Sequence, residues 1–392
     1  MSQPVRKVIK EAHPEIGNKL IYTLLVDGTN ILRRSFADQK INTHGIHYGA
    51  IFQFLLQLKK MLQQKQYDYI YVFFDDEDSG ILRYQIYNEY KANRDKKYAE
   101  HIEEKSDYMK EYEARLKSMQ DYLYGKNKKS KIKTPEEIIV DENFKRERDR
   151  LFEYFNELFI RWIFNDKTEG DDLIAYYVLN KKPEERIVIM SADEDLTQLI
   201  SSTVCIYNPN LKKFLSHDNF IKYRDIPVEN VLIKKIFCGD TSDNIGNIDG
   251  LSEKKLFELM PEIKERPITV EEVKAKARLI NEERIKEKKK PLKVYENIVN
   301  GVSRRKYDGD FYEINNKIIN LKQPLLTDDA KEELDNMMYA PQDPSDRDMQ
   351  NVYAMVKEDG IIELMDIDKF SNFFSSYKPF IDSEIRRFKE NK

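Results

Sequence analysis

Short apolar runs alternate with longer amphipathic segments along the first half of the chain. Residues 21–26 (IYTLLV), 69–74 (YIYVFF), 187–190 (IVIM) and 203–207 (TVCIY) are rich in β-branched and aromatic residues. Each is short and continuously apolar, the pattern of a strand buried on both faces. Between the first two runs, Ile51, Leu55, Leu58 and Leu62 recur at i, i+4, i+7 and i+11, which is one face of a helix. Leu173, Ile174, Tyr177 and Val178 repeat that pattern ahead of the third run. Buried strands separated by helix-length segments predict an α/β fold with a central, mainly parallel sheet and helices on both faces.

Residues 95–160 break the alternation. They are rich in Lys, Glu and Tyr and contain the basic stretch YGKNKKSKIK at 124–133, so they read as an insertion of exposed helices around a basic centre. A helix is expected to restart at Thr134-Pro135-Glu136-Glu137, with Thr134 as N-cap, Pro135 at the first helical position and two glutamates at the positive end of the dipole. Phe152, Phe155 and Phe159 mark the apolar face that returns the chain to the core. From 227 to 260 the pattern is helix (VENVLIKKIF), Gly-rich turn (GDTSDNIGNIDGLS), helix (EKKLFELM). Beyond 262 the chain is helical and charged, with anchors such as Leu279, Val294, Ile298, Ile318 and Val352. The expected divisions are an extension at 1–20, the α/β core at 21–225 and a helical region at 226–392.

Composition narrows the class. Hydrophobic residues make up 40% of the 392, and with 20 Phe and 24 Tyr the chain is too apolar for wholesale disorder. No run approaches the ~20 apolar residues of a membrane span. The stretch Met1 to Lys10 lacks the apolar core of a secretory signal. Cys205 and Cys238 are the only cysteines, which excludes a disulfide scaffold and a cysteine-built zinc site. A soluble, intracellular, monomeric protein is expected. The net charge of −4 conceals basic clusters at Lys126–Lys133, Lys286–Lys293 and Arg304–Lys306, so phosphate binding is compatible with it.

Candidate chemistry lies with the acidic residues. Asp27, Asp75, Asp193 and Asp195 sit at or just past the carboxyl ends of strand-like runs, which in an open parallel sheet converge on one rim. Glu169, Asp171 and Asp172 open an apolar helix, and the sequence leaves open whether that helix starts at the same rim or the opposite one. Asp240 and Asp243 share the GDTSDN turn. So many carboxylates on one rim repel unless cations neutralise them, and oxygen ligands without His or Cys favour magnesium or manganese over zinc. Two such ions about 3.5–4 Å apart stabilise the attacking and leaving oxygens of a phosphoryl displacement. His13, His44, His47, His101 and His217 lie outside these motifs, and no Gly-x-Ser-x-Gly elbow is present. Metal-assisted phosphodiester hydrolysis is the favoured chemistry.

The motifs LLVDGTN (24–30), FFDDEDSGILRYQIYNEYKANR (73–94), EGDDLIAYY (169–177), MSADEDLTQLI (190–200) and FCGDTSDNIGNIDG (237–250) occur in the order seen in flap endonucleases and 5′-3′ exonucleases. The chain resembles that family over about residues 20–260, and its SG-x-x-R…YK-x-NR spacing and SADEDLTQL are most similar to the ribonuclease H of T-even phages. The resemblance implies a PIN-like nuclease core, a helical arch at 95–160 and a helix–three-turn–helix that grips duplex DNA. It implies a first metal site of Asp27, Asp75, Glu169 and Asp171 with Asp172 adjacent, and a second of Asp193, Asp195, Asp240 and Asp243. Lys91 and Arg94 would contact the scissile phosphate, Tyr90 would stack on a base, and Arg83 would bind phosphate. Lys126, Lys128, Lys129, Lys131 and Lys133 would attract a single strand, with Tyr122 and Tyr124 as stacking faces. Gly246 and Gly250 would let the backbone approach duplex phosphates. Asn247 and Ser252 depart from the family, standing where glycines are common.

The implied function is a magnesium-dependent 5′ nuclease, with manganese as substitute, in a phage replication system within the cytoplasm of an infected bacterium. Its substrates would be 5′ flaps, nicks and RNA–DNA hybrids. A single-strand-binding protein or sliding clamp is a candidate partner, although IDKFSNFF at 367–374 lacks the usual clamp-binding glutamine and reads as core. Two alternatives stay open: a PIN-class RNA endonuclease and a non-catalytic DNA-junction binding module.

Overall fold

The apolar runs pair side by side. In the computed structural model, which describes residues 20–36, 48–76, 79–92, 135–364 and 367–391, they form one six-stranded sheet. Its strands are β1 (Ile21–Asp27), β2 (Tyr69–Asp75), β3 (Arg161–Asn165), β4 (Glu185–Met190), β5 (Val204–Asn208) and β6 (Lys213–Leu215). They lie in the order β3-β2-β1-β4-β5-β6; β1 to β5 are parallel, and only β6 runs antiparallel, against β5. The chain moves outward from β1 through β2 to β3, then crosses back to place β4 on the other flank of β1. Strand order therefore reverses between β1 and β4, and the carboxyl ends of these two strands border the crevice where open α/β sheets bind ligands.

Period-two alternation explains the two apolar layers. Leu24 and Val26 of β1, Ile70, Val72 and Phe74 of β2, and Val188 and Met190 of β4 face one layer. Leu25, Tyr71, Phe73, Ile187 and Ile189 face the other. The helices α1 (Gly28–Ser35), α2 (Gly49–Gln64), α3 (Ile81–Ile86), α4 (Pro135–Glu157) and α5 (Gly170–Asn180) connect the strands. The stripe Ile51, Leu55, Leu58 and Leu62 of α2 is buried as its spacing predicts. Together with Leu151, Phe152 and Phe155 of α4 it covers the first layer, and Leu173, Ile174 and Tyr177 of α5 cover the second. Residues 93–134, which include Thr134 and most of the expected arch, lie outside the described residues.

Strand β3 was not legible in the sequence. Its Arg161 is only 5% exposed and pairs with Glu384, more than two hundred residues along the chain. A buried charge inside a five-residue segment masks the apolar signature of a strand.

After β6 come α6 (Ile221–Arg224), α7 (Val231–Cys238), α8 (Glu253–Leu259), α9 (Val270–Lys286), α10 (Lys293–Asn300), α11 (Phe311–Ile319), α12 (Asp328–Met337), α13 (Met349–Glu358), α14 (Ile367–Phe374) and α15 (Lys378–Glu390). Helices α7 to α11 enclose a core of their own around Phe237, Ile248, Leu256, Val273, Ile298 and Phe311. The last three helices do not join it. Val352, Val356, Phe373, Phe374, Tyr377 and Phe380 pack into the first sheet layer beside Phe54 and Phe155, and Tyr377 donates its hydroxyl proton to the Leu55 carbonyl at 2.5 Å. The region expected as one unit at 226–392 is thus divided in space, because apolar faces on α13 to α15 find their complement on the sheet. Phe373 and Phe374 of IDKFSNFF are core residues, as the sequence reading has it. No helix among the described residues is long and apolar enough to cross a membrane.

Candidate active site

The acidic residues singled out in the sequence stand at or just past the ends of strands, in the first turns of helices or in the turn after α7. Asp27 closes β1 and caps α1, its Oδ1 accepting the Asn30 N–H at 3.0 Å. Such an abrupt strand-to-helix turn needs Gly28, since a Cβ there would lie 2.7 Å from the Phe73 carbonyl oxygen. Asp75 closes β2, and its N–H donates to Thr29 Oγ1 at 2.7 Å, locking the ends of the two strands together. The α5 helix begins at this same rim. Gly170 N–H donates to Asp75 Oδ1, and a Cβ on Gly170 would stand 2.7 Å from that oxygen, so only glycine allows the approach. The question left open by the sequence is settled: Glu169, Asp171 and Asp172 enter on the side of the aspartates.

The crevice between β1 and β4 is bridged by a residue that sequence reasoning missed. Ser191, fully buried, donates its hydroxyl proton to Asp27 Oδ2 at 2.6 Å and accepts the Asp193 N–H at 2.9 Å. Asp193 Oδ1 in turn accepts the Asp195 N–H at 2.8 Å. Burial, then the neighbouring Asp75, pushes the Asp27 carboxyl up to about 7. Burial and Glu169 raise Asp75; burial and then Asp193, Asp27 and Asp75 push Asp171 well up. Burial raises Asp193 as well, against the pull of Lys235. The strongest charged neighbours of Asp171 are all carboxylates. This is a concentrated, incompletely neutralised negative charge in a low-dielectric crevice.

Lysines close the margins of the group. Burial disfavours the charged form of Glu169, but Arg83 at 2.7 Å and then Lys91, in contact with Oε1, hold it down at about 2. Asp240 is held near 2 against burial by Lys235, whose Nζ lies 2.8 Å from Oδ2 and also contacts Asp195. Ser242 adds N–H and O–H bonds to Asp240 Oδ1 at 2.8 and 2.6 Å. Tyr90 joins the two sets, its hydroxyl lying 3.1 Å from Glu169 Oε2 and 3.3 Å from Asp243 Oδ2. Lys235 gave no sequence signal beyond its place in the last turn of α7.

In this arrangement no three acidic, His or Cys side chains among the described residues already stand as a formed metal cage. The donor chemistry nonetheless suits a hard divalent cation. Asp27, Asp75, Glu169, Asp171 and Asp193 offer only carboxylate oxygens, and burial raises all of these carboxyls except Glu169 above their ordinary values.

Three expected roles are changed by the tertiary structure. Asp172 is fully buried; its carboxylate is engaged by both terminal nitrogens of Arg83 and by the Leu325 N–H at 2.9 Å, which leaves little lone-pair capacity for an ion. Arg83 is 6% exposed, with Nε on the Ile318 carbonyl at 2.8 Å and its other nitrogens on Asp172 and Glu169, so its donors are taken up inside the protein instead of facing phosphate. Tyr90 is 7% exposed under the Lys91 ammonium, 4.8 Å from its ring centroid, and offers no open face to a base. Arg94 and Lys126, Lys128, Lys129, Lys131 and Lys133 lie outside the described residues.

The Gly-rich turn joins α7 to α8, as expected for a helix–turn–helix. Gly246 N–H is bound to the Tyr307 hydroxyl at 2.8 Å, so this amide already has a protein partner. Gly250 adopts φ +80° at the surface, where a glycine is required. The departures from the family pattern have local uses. Asn247 Nδ2 donates to the Leu251 carbonyl at 2.9 Å, and Ser252 caps α8. Between this turn and the acidic rim lies an open cleft of about 800 Å³, whose lining mixes Asp193, Glu194 and Asp240 with Arg34, Lys234, Lys235 and Arg305. A lining of both signs can meet a cation and a phosphate chain in one cleft.

Residues 22–225 match the family model described as "5′-3′ exonuclease, N-terminal resolvase-like domain". A curated 5′-3′ exonuclease of Mycoplasmopsis pulmonis is 26% identical over 250 residues, covering 63% of this chain and 69% of that one. The crystal structure of T5 D15 protein co-crystallised with metal ions superposes with a TM-score of 0.52 at 16% identity, covering 93% of this chain and 99% of that one. A pseudo-enzyme-product complex of bacteriophage T5 D15 flap endonuclease with DNA and metal ions gives 0.51 at 16% identity, over 92% of this chain and 99% of that one.

Proposed function

The chain belongs to the 5′-3′ exonuclease family, and on that premise we propose that it is a magnesium-dependent, structure-specific 5′ nuclease of phage DNA replication, working in the cytoplasm of the infected bacterium. It hydrolyses phosphodiesters in 5′ flaps, at nicks and in the RNA strand of RNA–DNA hybrids. The observation that carries this reading is the set of carboxylates Asp27, Asp75, Asp171 and Asp193 around the β1–β4 crevice, each raised by burial, with Asp27 and Asp171 raised further by others of the set. The D15 structures, described with metal ions and in one case with DNA, support it through a shared fold.

Asp27, Asp75, Glu169 and Asp171 would hold one ion; Asp193, Asp195, Asp240 and Asp243 would hold a second, with manganese as a substitute. Bound there, the ions would supply charge stabilisation for the attacking and leaving oxygens. Lys91 would move from Glu169 to the phosphate once an ion compensates the glutamate, and Arg94 would add a second positive charge. Lys235 would yield Asp195 and Asp240 in the same way. Lys126 to Lys133 would hold the free 5′ strand, so neutralising the five lysines should lower the ratio of flap to nick cleavage; an unchanged ratio removes that role.

A PIN-class RNA endonuclease is disfavoured because the α7–α8 turn contacts the rim directly, Asp243 accepting from Tyr90. A non-catalytic module is disfavoured because no carboxylate of the set is replaced. The deciding assay compares a 5′-flap, a nicked and an RNA–DNA hybrid substrate with and without magnesium. Magnesium-dependent release of 5′-phosphorylated products is expected on all three. Binding without cleavage would overturn the assignment.

A further inference from the structure

Lys91 stands in a backbone conformation that its sequence does not favour. Its φ is +56°, the left-handed region, which a non-glycine residue holds only where neighbours enforce it. The neighbours that enforce it belong to the helix–turn–helix. Lys91 N–H donates to the Asp243 carbonyl at 2.8 Å, and Asn244 Nδ2 donates to the Glu89 carbonyl at 2.6 Å. Two turns distant in sequence are thereby clasped together: residues 87–91, which carry the lysine, and residues 243–246 of the Gly-rich turn between α7 and α8.

Tyr307 sits where the two turns meet. Its ring stacks on Tyr87 at a centroid distance of 4.7 Å and an interplanar angle of 11°. Its hydroxyl accepts the Gly246 N–H at 2.8 Å and donates to Asn315 Oδ1 at 2.9 Å. Asn315 is fully buried and donates to the carbonyls of Ile236 and Gly246 at 3.0 and 3.1 Å, so the hydroxyl is itself held in place. The approach depends on glycine at 246, since a Cβ there would meet the Tyr307 oxygen at 3.0 Å and Ser303 Oγ at 2.8 Å. The tyrosine directly follows Arg304, Arg305 and Lys306, and Arg305 lines the cleft shared with Asp193 and Asp240.

We infer that Tyr307 is a positioning residue for the nuclease reaction: it fixes the strained turn of Lys91 to the helix–turn–helix, so that the lysine is registered against Glu169 by the same unit that seats the duplex. The inference rests on the proposed role of Lys91 at the scissile phosphate. It predicts a coupling between residues whose side chains do not meet. A displacement near 1 Å at a reacting centre lowers rates on the order of 10²-fold, and loss of the stack releases Lys91 from its enforced φ.

The test is a double-mutant cycle on the full chain with a 5′-flap substrate and saturating protein. Tyr307→Leu should lower the single-turnover rate about 10- to 100-fold while the duplex Kd, measured without divalent ions, stays within about threefold. Combined with Lys91→Ala, it should slow cleavage no further than Lys91→Ala alone, because both remove one function. Tyr307→Phe keeps the stack on Tyr87 but loses the hydroxyl link to Gly246, so its rate should fall between those of the wild type and the leucine variant; it also serves as the folded control if the leucine variant is unstable. Multiplying losses in the double variant, or a rate deficit recovered at higher protein concentration, would overturn the inference. If Lys91→Ala cleaves at the wild-type rate, the failure belongs to the proposed role of Lys91 and not to Tyr307.

Discussion

Ser191 Oγ donates to Asp27 Oδ2 at 2.6 Å, tying the carboxyl end of β4 to that of β1 at the point where strand order reverses. The same oxygen accepts the Asp193 N–H, so one hydroxyl holds the Asp27 carboxylate of one expected ion site and the Asp193 backbone of the other. Removing partners that orient metal ligands commonly costs 10–100-fold in affinity. Ser191→Ala should weaken manganese binding by at least about tenfold in a direct titration, with little change in far-UV circular dichroism. Wild-type affinity would show that Asp27 is oriented by α1 alone.

Asp75→Asn and Asp193→Asn each remove one negative charge and leave the cleft's Arg34, Lys234, Lys235 and Arg305 in place. Charge stabilisation worth several kcal/mol should go with the ligand, lowering single-turnover cleavage on the order of 10³-fold or more. Duplex affinity without divalent ions should hold or improve, since repulsion toward phosphate falls. Full turnover by either variant would remove these residues from the ion sites.

Arg83 is a structural cation in this protein. Its guanidinium compensates two buried carboxylates, Asp172 and Glu169, and reaches the Ile318 carbonyl of α11. Taking one partner from a buried pair typically costs about 3–5 kcal/mol. Arg83→Met should lose stability of that order in urea unfolding. Fluorescence anisotropy of a duplex, recorded at a temperature where the variant is folded, should change little. A selective loss of duplex binding without loss of stability would return Arg83 to the phosphate contacts first expected of it.

Glu147 gives the pH dependence an identifiable source away from the acidic rim. It is 2% exposed on α4 and accepts the Ala50 and Ile51 N–H groups at 2.9 and 3.1 Å, capping α2 from a distant helix. Burial raises its carboxyl from 4.5 to about 7. The folded state therefore holds this proton more tightly than the unfolded chain, so the stabilisation is complete below about pH 4.5 and is lost as pH rises through 7. A shift of that size corresponds to about 3 kcal/mol. Glu147→Gln keeps an acceptor but cannot ionise. Between pH 5 and 8 the wild type should lose about 2–3 kcal/mol more than the variant in urea unfolding. Parallel pH profiles would rule out Glu147 as the source.

What the sequence determined by itself was local. Continuous apolar runs and a 3.6-residue stripe specified the buried parallel strands and α2, because those periods follow from backbone geometry alone. The ends of the runs located Asp27, Asp75 and Asp193, since a parallel sheet must present its carboxyl ends on one rim. Tertiary structure decided the questions that depend on partners far away in the chain. Arg83 meets Asp172 and Ile318 across 89 and 235 positions, and these contacts convert an expected phosphate ligand and an expected ion ligand into a buried pair. Tyr90 became a link between Glu169 and Asp243 for the same reason, and β3 was hidden by a charge whose counter-ion lies on α15. A side chain's charge and shape are written in the sequence. Whether it faces water, a phosphate or another charge depends on which distant segment folding sets against it, and no periodicity carries that information.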